Sequence, residues 1–265
     1  MNKKIILFDI DGTLIDCQKG HTHLTKETKK ALKLLKEAGH YIFIASGRPY
    51  CYLLEELTHF EFDGYILDDG SYVLFNNEEL LYYPLEANKL DPLLEQVKDM
   101  NMTCVLYTKK NAYFYNDDGT LKNYAQSFMI NDKYVKVIDN VEDKKDNVLK
   151  MHIQAQNLDD YKNFMINKND FFVVSDTSHY LYEIINKKHN KATALAEVLK
   201  VLKIKKENSY FFGDGYNDIE MMDYVGCAIA MANAPKDVQS HADYVCKSVD
   251  QNGVADFIIN SGLFK

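Results

Sequence analysis

Two aspartates, Asp9 and Asp11, follow directly on the apolar run Ile5-Ile6-Leu7-Phe8. The run is short enough for a buried strand and too short to span a bilayer. A buried strand gains nothing by ending in two carboxylates: like charges this close repel, and each costs free energy to desolvate. A cation between them, or access to solvent, makes the pair tolerable. In an open parallel sheet the carboxyl ends of the strands face the ligand crevice, which would place both at a site. There Asp9 could accept a phosphoryl group as an aspartyl-phosphate. Asp11, just past the strand end, could protonate a leaving oxygen and then deprotonate water. Gly12-Thr13 also reads as plain turn chemistry, but the apolar run before the pair favours a site.

Three further places carry residues of matching chemistry. Ser46-Gly47-Arg48 follows the apolar stretch Tyr41–Ala45. A hydroxyl and free backbone N–H groups there would hold phosphate oxygens, although a strand-to-helix turn accounts for these residues taken alone. Arg48 could equally pair with an acid at a domain edge. Lys191 opens a predicted helix, where a cation opposes the helix dipole by about 0.3–1 kcal/mol. That misfit suggests another task, neutralising a phosphate or fixing Asp9, against the alternative of a solvated lysine beside Lys187 and Lys188. Gly213-Asp214-Gly215-Tyr216-Asn217-Asp218 follows Phe211-Phe212. Hard oxygen ligands with room left for water and phosphate describe a Mg²⁺ site. Asp218 also reads as a helix N-cap. A calcium loop is excluded because its regular ligand spacing and distal Glu are missing.

The elements that must position these residues follow from periodicity. Strand patterns at Ile5–Phe8, Tyr41–Ala45 and Gly64–Leu67 alternate with helical patterns at Thr25–Ala38, where Thr25 serves as N-cap, and Tyr50–Thr58. That alternation predicts a parallel α/β sheet with right-handed crossovers. Tyr72–Phe75 and Leu80–Tyr83 form a predicted hairpin. Between about Leu81 and Lys187 strands outnumber helices, which predicts a separate α+β unit with an antiparallel sheet. Its tyrosines, including Tyr107, Tyr113 and Tyr115, read as sheet packing. The first rhythm returns with a helix at Lys191–Leu202, a strand at Tyr210–Phe212 and further elements to Asn260. Residues 81–187 are therefore read as inserted into a core formed by 1–80 and 188–265.

Composition narrows the class. The 265 residues are 46% hydrophobic and 26% charged, ordinary for a soluble globular chain, and the formal net charge of -8 argues against nucleic acid or anionic membrane as partner. A small anionic substrate is still allowed, because a bound metal reverses the local sign. Five dispersed cysteines, Cys17, Cys51, Cys104, Cys227 and Cys246, with no CxxC pair, read as reduced packing thiols in a cytoplasmic protein. No signal peptide and no membrane span is read.

Taken together and in order, DIDGT (Asp9–Thr13), SGRP (Ser46–Pro49), Lys191 and GDGYND (Gly213–Asp218) resemble the haloacid dehalogenase-like hydrolases, and specifically the Cof-type phosphatases. AIAMANAP (Ala228–Pro235), Ala242-Asp243 and Asn252–Ala255 extend the resemblance. It implies a Rossmann-like core with an inserted α/β cap at 81–187 that selects the substrate. It also implies a phosphatase of a small phosphorylated metabolite, such as a sugar phosphate or a nucleotide-like cofactor. Asp9 would be the nucleophile and Asp11 the general acid/base. Asp9, the Asp11 main-chain carbonyl and Asp214 would hold Mg²⁺, Ser46 and Lys191 the phosphoryl group, with Asn217 and Asp218 supporting the metal and its waters. Gly47, Arg48 and Asn217 complete the expected substrate-binding set, and Asp218 the expected metal set. A sugar phosphomutase and a non-catalytic metabolite sensor are the alternatives. One departure stands out: the family often has Asn-Gly after the third strand, where this chain has Asp68-Asp69-Gly70, read as a solvated turn or as an acid that repels anionic substrates.

Overall fold

The structure, a computed structural model, describes residues 3–264. Its strands run in chain order as β1 (Ile5–Phe8), β2 (Tyr41–Ala45), β3 (Gly64–Leu67), β4 (Tyr72–Phe75), β5 (Glu78–Tyr82), β6 (Thr103–Tyr107), β7 (Ala112–Tyr115), β8 (Val135–Ile138), β9 (Lys150–Gln154), β10 (Phe171–Asp176), β11 (Leu181–Asn186), β12 (Ser209–Gly213), β13 (Cys227–Met231) and β14 (Tyr244–Cys246). The helices are α1 (Lys26–Glu37), α2 (Glu55–His59), α3 (Ala87–Asp99), α4 (Thr120–Ser127), α5 (Leu158–Asn163), α6 (Lys191–Leu202), α7 (Ile219–Tyr224), α8 (Lys236–Gln239) and α9 (Gly253–Asn260). None of the described helices is long and apolar enough to cross a membrane. Two compact units result. One comprises the chain up to Gly47, Glu55–Leu81 and the chain from Asn190; the other comprises Arg48–Leu54 and Tyr82–His189.

The first unit is an eight-stranded sheet in the order β14-β13-β12-β1-β2-β3-β4-β5. From β14 to β3 every pairing is parallel, and β4 turns antiparallel onto β3. β1 sits in the middle, as a four-residue run with no exposed position should. Ile5 and Leu7 face the core packed by Ala194, Leu195 and Val198 of α6 and by Met221 and Met222 of α7. On the opposite face Phe8 stacks on Phe212, and Phe212 meets Phe257 of α9 edge-on. Helix α1 starts where Thr25 accepts a hydrogen bond from the Thr28 N–H, and Gly39, at φ +82°, follows its last turn. The hairpin β4–β5 turns on Asn76 and Asn77, both at positive φ, a conformation asparagine tolerates.

The second unit carries a six-stranded sheet, β10-β11-β9-β6-β7-β8. It is antiparallel except for β7 and β8, which pair in parallel across helix α4. Strand β8 does not appear in the sequence reading. It is an edge strand of four residues with no fully buried position: Val135 packs partly against a core, but Val137 is 79% exposed, so no clear apolar alternation marks it. Leu90, Leu94 and Val97 of α3 pack on one face with Cys104, Leu106, Met151 and Ile153. The predicted helix Tyr50–Thr58 is replaced by a single turn at Tyr50–Tyr52, extended backbone at Leu53, and α2. Cys51 and Tyr52 insert among Val105, Tyr107, Phe114 and Leu121, so burial in the second unit overrides helical continuity. The segment from Arg48 to Leu54 therefore groups with the second unit, not with a core of residues 1–80.

Candidate active site

All the charged residues of the site belong to the first unit and sit at the carboxyl ends of adjacent strands. Phe8 is paired with Phe212 on one side and Ile44 on the other. Asp9 follows directly, and Asp214 and Ser46 come one residue further on, after Gly213 and Ala45, so the three emerge at the same end of adjacent strands. The Asp9 N–H still donates to the Phe212 carbonyl at 2.9 Å, which fixes the strand end below the carboxylate.

Lys191 crosses from the first turn of α6 into this row. Its side chain is 2% exposed, and its ammonium donates to Asp9 Oδ1 at 2.9 Å and to Asp218 Oδ1 at 2.6 Å. An Asn190–Thr193 capping box starts the helix, so the helix N-terminus is satisfied without Lys191. Gly70, at φ +100°, lets the α6 start approach: a Cβ there would lie 3.0 Å from the Lys191 nitrogen and overlap the Asn190 carbonyl. Asp218 is wholly buried, and its Oδ2 accepts the N–H groups of Asp214 (2.9 Å) and Gly215 (3.0 Å). It orients Lys191 with one oxygen and closes the loop with the other.

The carboxylates of Asp9, Asp214 and Asp218 bring oxygens within 4.8 Å of one another; that of Asp11 is not among the three. Burial holds Asp9 well above the usual carboxylate range, against the pull of Lys191 and with Asp218, Asp214 and Asp11 pushing the same way. Asp214 is pushed up to about 7, first by burial and then by Asp218, against the Thr13 hydrogen bond and Lys191. Burial works against the Lys191 charge, yet Asp218 and Asp9 overcome it and raise its pKa. Among the described residues, Lys191 thus pairs with two buried acids at once. Such a surplus of hard oxygen donors fits a divalent ion better than any further side chain.

Of the other predicted residues, Ser46 is buried beyond β2, its N–H donating to the Ile66 carbonyl at 2.8 Å. Gly47 lies against Asp69: a Cβ would sit 2.9 Å from Asp69 Oδ1. Asn217 donates from Nδ2 to the same oxygen at 3.3 Å. Asp68 and Asp69 are not a solvated turn. They are 1% and 9% exposed, both at positive φ, with the Asp69 N–H reaching the Ser46 carbonyl at 3.4 Å. The turn folds inward because the β3–β4 hairpin pins both its ends. Arg48 groups with the second unit. Its Nη1 donates to the carbonyls of Tyr52 (2.8 Å) and Phe128 (3.0 Å) within the second unit. Asn233, absent from the predicted set, joins the site through Gly12 and Asp214. All five cysteines are thiols, and burial pushes Cys246 up to about 12 and Cys227 up to about 11, which suits packing rather than nucleophilic roles.

A family model of haloacid dehalogenase-like hydrolases matches residues 6–258. The chain belongs to the haloacid dehalogenase-like hydrolases. YkrA of Bacillus subtilis is 29% identical to this hydrolase, with 100% of both chains covered. The 5-amino-6-(5-phospho-D-ribitylamino)uracil phosphatase YitU of the same organism is 26% identical, with 96% of each chain covered. Among solved structures, a protein of Geobacillus kaustophilus superposes with a TM-score of 0.84 at 28% identity, over 98% of this chain and 99% of its own. The sugar phosphatase BT4131, of haloacid dehalogenase subclass IIB, does so with a TM-score of 0.83 at 23% identity, over 98% and 99%, a likeness of fold. This hydrolase is thus an enzyme of the phosphatase kind, with the α/β parallel-sheet core of its family.

Proposed function

We propose that this hydrolase is a Mg²⁺-dependent phosphatase that cleaves a small phosphorylated metabolite through an aspartyl-phosphate on Asp9. The observation that carries the proposal is the buried Asp9 carboxylate, held 2.9 Å from Lys191 in a cluster with Asp214 and Asp218. Asp9 and Asp214, with the Asp11 main-chain carbonyl, would hold the ion; when bound it draws charge from the phosphoryl oxygens and screens the acids from one another. Asp218 is better placed to hold Lys191 than to act as a ligand, since one oxygen takes the Lys191 ammonium at 2.6 Å and the other takes two backbone N–H groups, whereas Asp214 meets only neutral side-chain donors.

Asp9 attacks phosphorus, the ester P–O bond breaks, and half-exposed Asp11 gives its proton to the departing oxygen. Asp11 then takes a proton from water, whose oxygen attacks phosphorus and releases phosphate and Asp9. Lys191 keeps its charge throughout and offsets the charge on the phosphoryl oxygens, with Ser46 and the backbone at Gly47 as neutral donors. Asn217 and Asp69, joined by a hydrogen bond, lie beside Gly47. Arg48 also braces the second unit, donating to the Tyr52 and Phe128 carbonyls.

The relatives' names support a sugar phosphate or a nucleotide-like cofactor precursor as substrate, and we assign its selection to the inserted unit. Asp9→Asn should abolish phosphate release from 4-nitrophenyl phosphate in the presence of Mg²⁺. Substantial turnover by the pure variant would remove Asp9 as nucleophile. A panel of phosphorylated metabolites, followed for free phosphate and for isomerised sugar phosphate, separates a phosphatase from a mutase. Binding of a panel member without turnover would make the protein a sensor.

A further inference from the structure

Asn233 lies in the turn between β13 and Pro235, and its amide touches three other segments at once. Nδ2 donates to the Gly12 carbonyl at 2.9 Å and to Asp214 Oδ2 at 3.0 Å, while Oδ1 accepts the Val249 N–H at 3.1 Å. These contacts join the loops after β13, β1, β12 and β14, four strands consecutive in the sheet. The amide can sit only one way round. Flipped, its oxygen would face the Gly12 and Asp214 oxygens, and its NH₂ would meet the Val249 N–H. Thr13 Oγ1 donates to the other Asp214 oxygen at 3.2 Å. Each oxygen of Asp214 is therefore gripped by one neutral donor, and the carboxylate plane is fixed without adding charge to a cluster already short of cations.

We propose that Asn233 is a positioning residue: it locks the Asp214 carboxylate and the Asp9–Thr13 loop in the relative placement that divalent-ion binding requires. The proposal rests on reading Asp9 and Asp214 as the residues that hold the ion. An amide suits the task for a physical reason. Asp would face two acceptors with no hydrogen to give and would repel Asp214, and Ser or Ala could not reach both. Outer partners of this kind typically set metal affinity or activity by about 10–100-fold.

The test uses the full-length chain with Mg²⁺ as the probe. Asn233→Ala should weaken Mg²⁺ binding, measured by titration calorimetry without substrate, by about 10–100-fold. The Mg²⁺ concentration for half-maximal turnover of 4-nitrophenyl phosphate should rise by the same factor, with KM at saturating Mg²⁺ unchanged. Asn233→Asp keeps the size and the acceptor for Val249, so a role confined to anchoring the Val249 loop predicts wild-type turnover. Positioning predicts at least a tenfold drop in kcat at saturating Mg²⁺. This variant decides the matter where the alanine variant does not fold. Wild-type Mg²⁺ affinity in Asn233→Ala, or wild-type kcat in Asn233→Asp, would overturn the role of Asn233 alone. A wild-type protein that binds no divalent ion would overturn the reading of the site and this role with it.

Discussion

Lys191→Met removes one charge and little volume from a buried position. The ammonium lies 2.9 Å from Asp9 and 2.6 Å from Asp218, and the three side chains are 2%, 10% and 0% exposed. With charge centres about 4 Å apart and an effective dielectric near 20, each pair gains about 4 kcal/mol before desolvation. Desolvation offsets much of that while the cluster is intact. Removing one partner leaves the other charges buried and uncompensated, which typically costs about 3–5 kcal/mol. Asp218 keeps its two backbone N–H donors, so Asp9 takes most of the loss. Its pKa, already raised, rises further, and it stays protonated in the folded variant.

The sign of the pH dependence follows. Above the unfolded aspartate pKa near 4, the unfolded chain has released a proton that folded Asp9 retains, so stability falls as pH rises. The deficit of Lys191→Met should be largest near pH 7.5 and shrink toward pH 4.5. The assay is urea unfolding at the two pH values with chelator present. It is followed by circular dichroism, because the chain has no tryptophan to report by fluorescence. Turnover should fall by about 10²–10³-fold, the usual loss for one charge-stabilising donor. A deficit below about 1 kcal/mol at pH 7.5, the range of an exposed pair, or one equal at both pH values, would refute the claim that Lys191 is the counter-charge of Asp9.

Three further outcomes are expected. Gly12→Ala places a Cβ 2.7 Å from Asp214 Oδ1 at φ +79°; displacing that carboxylate by about 1 Å should cost about 10²-fold in kcat, with a smaller loss of Tm. Chelation should abolish turnover, and Mg²⁺ at about 100 times its Kd should add about 2.7 kcal/mol to stability; an unchanged Tm with Mg²⁺ would count against the ion site. In the second unit Lys150, 4% exposed, is paired with Glu183. Glu183→Gln should destabilise by about 3 kcal/mol, the low end for a buried pair because Glu183 is partly open. Burial opposes the Glu183 charge, but Lys150 and His152 hold its pKa below the usual range. Its contribution is therefore present above the unfolded glutamate pKa and lost as pH falls; wild type and Glu183→Gln should converge in acid.

Residues whose types conflict with their surroundings were the legible ones. Asp9 after an apolar strand and Lys191 at a helix start each break a local rule, and both are buried in the site. Asn233 breaks none. It is a neutral amide in a turn, where asparagine is common, and only the lateral order of four strands gives it three partners. Arg48 is a different case. It follows Gly47 in the chain, but the chain leaves the first unit at that bond, and sequence adjacency carries no information about which unit a side chain joins. The segment Tyr50–Thr58 failed as a helix for the same reason: Cys51 and Tyr52 are drawn into a core assembled from residues more than fifty positions away.

Asp69 sharpens the logic of the whole site. It adds one more buried acid near Lys191, and its field is among those that raise Lys191. An asparagine in its place could accept from Asn217 equally well and would add no charge. Its charge therefore adds to the cost of burying several acids close together. The fold tolerates it because Asn217 binds its Oδ1, Gly47 leaves room for the carboxylate, and the backbone meets Ser46. A site built this way is least stable when empty of cations. Each added acid raises the affinity for a divalent ion and lowers the stability of the ion-free chain, so affinity and stability trade against each other through the same carboxylates.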